Sequence, residues 1–112
     1  MRLHNLEAHF VARTDKGHRW VGAMAEAQGL WFLCPKCFIT NGGKIGTHGV
    51  LCWFVGHVPD DLHPGPGRWT PAGSGLEDLS FVPGKPPRSH SVLLTSGCAW
   101  HGYIQDGAAV EA

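Results

Sequence analysis

This sequence is poor in charge. Only 16% of its 112 residues are charged, nine Lys and Arg against nine Asp and Glu. No run of basic residues occurs of the kind that tracks a phosphate backbone, so nucleic acid is not an expected partner. Long apolar runs are missing too. No stretch approaches the roughly 18 residues that a spanning helix needs, and MRLHNLEAHFVARTDKGHRW at the start holds no apolar core of a secretion signal. No membrane partner is expected, and the expected compartment is the cytoplasm.

What is abundant is glycine and proline, sixteen and eight, within a 43% hydrophobic content that is globular in character. The length fits one domain, residues 1–112, whose surface-to-volume ratio leaves a thin margin of stability. HFVARTDKGHRWV, His9 to Val21, alternates apolar and polar residues about Asp15-Lys16-Gly17 and predicts a β-hairpin. AMAEAQG, Ala23 to Gly29, predicts a short helical connector. Leu30 to Leu33 and Val50 to Val55 read as buried strands with TNGGKIGTHG turning the chain between them. GHVPDDLHPGPGRWTPAGSG, Gly56 to Gly75, is too rich in Pro and Gly for a regular ladder and reads as a long loop or irregular edge. Leu76 to Val82 and Ser91 to Thr95 predict two more strands. GYIQDGAAVEA predicts a strand, an Asp106-Gly107 turn and a final strand. The expected class is all-β, about seven to nine short strands with little helix.

Four cysteines in a reducing compartment are metal ligands or buried thiols before they are disulfides. LWFLCPKCF and GCAWHGY each carry two ligand residues separated by two others. Such spacing lets one tight turn present both groups to a tetrahedral zinc. Pro35 suits a turn, and Gly102 after His101 can take positive φ. The expected ligand set is Cys34, Cys37, Cys98 and His101 around a structural Zn2+, closing a long loop. The competing reading makes these cysteines plain buried thiols with an unrelated histidine; within the metal reading, His48 and His90 are second-choice ligands. Cys52, within VLCWFV, reads as a small buried hydrophobe.

The ordered set W-T, DLSFVPG, RSH and LLTSGCAWHGYIQDG resembles a group of small zinc-binding domains of unknown function carried by phages and prophages. Some of these bear the label ammonia monooxygenase, a chemistry nothing here supports. FLCPKC, VLCWF and LLTSGCAWHGYI also fall in an order similar to that of the cereblon-like β-tent. There two antiparallel sheets meet at a zinc held by two CxxC turns, and His101 stands where that pattern has its fourth cysteine. The resemblance implies two small antiparallel sheets pinned by a structural zinc, in a bacterial or phage-infected cell. Cereblon-like domains bind cyclic imides in a tryptophan cage, and the chain offers Trp20, Trp31, Trp53, Trp69 and Trp100. A zinc-bearing methionine sulfoxide reductase is another relative of that architecture, but RSHSVLL has no cysteine where its catalytic one would stand.

Four protein ligands leave zinc no open position for water, so function is expected elsewhere on the surface. The candidate binding residues are Trp69, His48, His90 and Trp53, beside Asp60, Asp61, His63, Arg88 and Ser89 on loops. A small planar ligand or a protein partner is expected, since tryptophans stack on planar groups; filling the core is their other use. The alternatives are a small enzyme using His48, His63, His90 and Asp60 or Asp61 for acid-base chemistry, and a structural component of a phage particle.

Overall fold

Alternation builds the largest sheet. Along β1 (His9–Thr14), β3 (Gly29–Leu33) and β4 (Gly49–Trp53), the side chains of Phe10, Leu30, Phe32, Val50 and Cys52 turn to the main core. Val11 and Trp53 turn to the other face, where they pack with Val58. β2 (Gly17–Val21) completes the order β2-β1-β3-β4, every pairing antiparallel. The computed structural model describes residues 1–65, 67–84, 90–94 and 97–112.

The smaller sheets close the main core. β5 (Thr70–Ala72) and β6 (Ser80–Val82) form a ribbon, and β7 (Val92–Leu93), β8 (His101–Gln105) and β9 (Ala108–Glu111) form a second antiparallel sheet. Phe81, Val92, Trp100, Ile104 and Ala109 from these strands and their connections meet the large sheet, and Leu3 and Leu6 of a 3-10 turn, Leu3–Leu6, fill the remainder. The fold is all-β as expected, with three sheets among the described residues in place of the expected two. The ribbon stands apart because it pairs only three residues, and Pro71 in its middle brings no N–H to a ladder. The expected strand ends at Thr95 and the Arg88-Ser89 pair lie outside the described residues.

The predicted hairpin forms with Thr14 opposite Gly17. The late one turns at Asp106 and Gly107, φ 49° and 76°, as a primed two-residue turn requires. The CPKC stretch departs from expectation. It opens an α-helix, α1 (Pro35–Asn41), with Pro35 in the first turn and Gly42 closing it at φ 68°. Gly102 also has a role other than the expected turn. It lies within β8, and a Cβ there would collide with the Trp100 indole and the Val110 carbonyl.

The Pro/Gly-rich loop is held by one side chain. Arg68, 4% exposed, donates from its two Nη groups to the carbonyls of Pro59, Asp60, Leu62, Pro64 and Gly67. A buried cation is tolerated when most of its donors are matched in this way; its Nε alone has no partner among the described residues. Replacing it by an apolar side chain of similar length leaves those carbonyls without their donor. Arg68→Met is therefore expected to lower stability by about 1–3 kcal/mol in urea denaturation and to open residues 57–67 to proteolysis. Wild-type stability would show that water satisfies the loop equally well.

Candidate metal centre

Cys34, Cys37 and His48, from one short stretch of chain, and Cys98, far along it, meet at one end of the large sheet. Cys34 follows β3 directly and is fully buried. Helix α1 begins at once, so Cys37 lies on the same helical face, three residues on. The β3–β4 ladder then supplies the third group. Leu33 pairs with Gly49, and beyond it the Cys34 N–H donates to the His48 carbonyl at 2.9 Å. An antiparallel partner one step past the last pair thus carries His48 to the side of Cys34. Cys98 arrives on the β7–β8 connection, which closes with Leu94 N–H donating to Trp100 O.

The ligand atoms of Cys34, Cys37, His48 and Cys98 all lie within 4.8 Å of one another, a group that can hold a metal ion. Cys34 Sγ is 3.5 Å from Cys98 Sγ, and His48 Nε2 is 3.3 Å from the same sulfur. Tetrahedral zinc with bonds of roughly 2.3 Å to sulfur and 2.0–2.1 Å to nitrogen has edges of about 3.8 Å and 3.6 Å. Both separations lie within about 0.3 Å of those edges, and with all four atoms within 4.8 Å of one another the donor set is of a size to hold such an ion.

His101 was the expected fourth ligand, and the structure places it elsewhere. The ladder restarts at Trp100, so His101 is already a strand residue paired with Leu93. Trp100 points into the core and its neighbour therefore points to solvent. CAWH is thus no second copy of CPKC; its positive φ falls at Ala99, at 53°.

Burial separates the four thiols. For Cys34, burial outweighs the backbone N–H groups of Cys37 and Lys36 and pushes its pKa up to about 11. Cys37 is also raised, chiefly by burial and then by its hydrogen bond with Cys98. Burial alone would raise Cys98 as well, but hydrogen bonds from His48, the Trp100 backbone and the two other thiols bring it down to about 6. Cys52, fully buried on β4, is raised by burial and is a core residue as expected.

The candidate binding residues occupy different places. Trp69 is half-buried and stacks on Phe81 at 5.8 Å, its Nε1 donating to Ser91 O. Trp53 is buried, its Nε1 donating to His63 O at 3.1 Å. His90 lies 5.0 Å from the Tyr103 ring, while His48 faces Cys98. His63 lines a groove beside Trp53, and Asp60 and Asp61 are exposed. The acid-base candidates thus have three separate neighbourhoods. Sequence spacing missed His48 as a primary ligand, and the signal for it was the antiparallel pairing of LWFLC with HGVLCW.

No protein family, curated protein or solved structure matches this chain.

The lowered pKa of Cys98 has a chemical consequence. A thiol held near 6 is deprotonated at neutral pH, whereas one near 11 is not. In reduced, metal-free protein near neutral pH, iodoacetamide should label Cys98 ahead of Cys34, Cys37 and Cys52, with the rate climbing as pH rises through about 6. His48→Ala should move that onset upward. Peptide mapping that finds Cys34 labelled first would contradict this ordering.

Proposed function

We propose that this chain is a zinc-stabilised binding or interaction module of phage or prophage type, acting on a small ligand or a protein partner. The observation that carries the reading is the convergence of three sulfurs and one imidazole nitrogen within 4.8 Å. Thiolate and imidazole together favour zinc over hard cations such as magnesium or calcium, which prefer oxygen. With four side chains on the ion, no position remains for water or substrate, so the metal is structural. The phage assignment rests on the order of W-T, DLSFVPG and LLTSGCAWHGYIQDG. A β-tent-like arrangement and a reducing, cytoplasmic setting are consistent with free thiolates serving as ligands.

Zinc in such a site contributes folding free energy outright, about 10–16 kcal/mol in finger peptides. Purified protein should contain one zinc per chain, and a chelator should lower its thermal midpoint. Cys98→Ala should lose the metal and unfold at the lowered midpoint of the chelated protein. His48→Ala should bind zinc more weakly, and His101→Ala should bind it as wild type does. Cobalt substitution gives a second readout, the visible absorption of a tetrahedral thiolate complex. Full zinc retention in Cys98→Ala, or loss in His101→Ala with His48→Ala unaffected, overturns the ligand set.

A further inference from the structure

The face of the large sheet turned away from the main core carries an aromatic surface remote in role from the metal. The register lines up Trp20, Val11, Gly29 and Trp53 across the four strands, with His9, Trp31 and Leu51 in the next row. Glycine at position 29 lets the Trp53 ring lie flat, since a Cβ there would stand 2.9 Å from Trp53 Cε3. Trp20 stacks on His9 with centroids 3.6 Å apart and planes 13° apart. His9 in turn faces Trp31 at 6.3 Å. Trp20 nevertheless remains 65% exposed. Such exposure forgoes the gain from burying an indole, while the stacking fixes its orientation.

Two residues along β2, His18 points to the same side as Trp20 and lines a groove of ≈ 340 Å³. Leu51 contributes apolar surface to the groove, and the buried Trp53 stands at its wall. Arg13, Asp15 and His18 of the β1–β2 hairpin line it together with Leu62 and His63.

We propose that this face binds a neutral oligosaccharide, one sugar ring stacking on Trp20 and the next entering the groove between Arg13, Asp15 and His18. The proposal rests on the reading of the domain as a binding module, and it shifts the binding surface from Trp69 and His90 to the outer sheet face. A sugar ring has an apolar C–H face that suits an indole, and a rim of hydroxyls that each donate and accept. The groove offers both functions, because Arg13 only donates and Asp15 only accepts. An anion would meet the Asp15 carboxylate and a cation the Arg13 guanidinium, whereas a hydroxyl-rich neutral ligand uses both. A proline-rich peptide fits less well. Its prolines lack the N–H groups from which Asp15 would accept hydrogen bonds, and the Trp53 Nε1 donor its carbonyls would need is already given to His63 O.

The test titrates the zinc-loaded protein with neutral oligomers of glucose, N-acetylglucosamine, mannose and galactose, up to hexamers, by tryptophan fluorescence and calorimetry. Expected is saturable binding of at least one series, tighter for longer oligomers. Affinity should fall roughly tenfold or more in Trp20→Ala and in Asp15→Asn, with zinc content and thermal midpoint unchanged in both. No saturable response to any series at millimolar concentrations overturns the proposal, as does binding that Trp20→Ala leaves intact. So does a preference for inorganic phosphate or for a polyproline peptide over every sugar. Zinc bound at one per chain without sugar binding would retire this proposal alone; sugar binding by a zinc-free protein would instead retire the zinc-stabilised reading.

Discussion

The antiparallel ladder between β3 and β4 is the constraint from which the rest of the structure follows. It sets Leu33 against Gly49, and the next hydrogen bond, from Cys34 to His48, fixes two donor groups on a rigid backbone. A one-residue slip would send Cys34 and His48 out of step and also turn Leu30, Phe32, Val50 and Cys52 away from the core. The cluster of donor groups and the core therefore specify the same register. Each makes the alternative register costly to the other.

The same ladder divides the molecule into two faces with different work. One face is dry, filled by Phe32, Phe54, Phe81 and Ile104 and closed by the smaller sheets. The other is half covered by the loop that Arg68 gathers. Glycines set how tightly the indoles approach the strands. Gly29 lies under Trp53, Gly49 against Trp31 and Gly102 against Trp100. In each pair the small residue of a strand lets a large ring lie along the sheet, which gives a short chain more apolar contact per strand than upright packing would.

Much of this was legible in the sequence. Alternation in HFVARTDKGHRWV, the apolar runs LWFL and VLCW, and the Asp106-Gly107 turn specify their elements through local chemistry alone. Three cysteines of the cluster followed from residue type and spacing. What escaped was non-local. CPKC begins a helix because Pro35 opens and Gly42 closes a seven-residue stretch able to form one, a choice that spacing between cysteines does not reveal. His101 looked equivalent to Cys37 by count, yet strand alternation governs where it points. His48 is four residues from Cys52 along the chain, but its relevant neighbour is across the ladder, which only the pairing discloses.

Three of the four donors, Cys34, Cys37 and His48, lie within one short segment, whereas Cys98 is 64 residues beyond Cys34. During synthesis the early segment leaves the ribosome first. A nascent chain therefore presents an incomplete, three-donor cradle until the segment that carries Cys98 has been translated, and the last sulfur to emerge acts as the latch on the cluster.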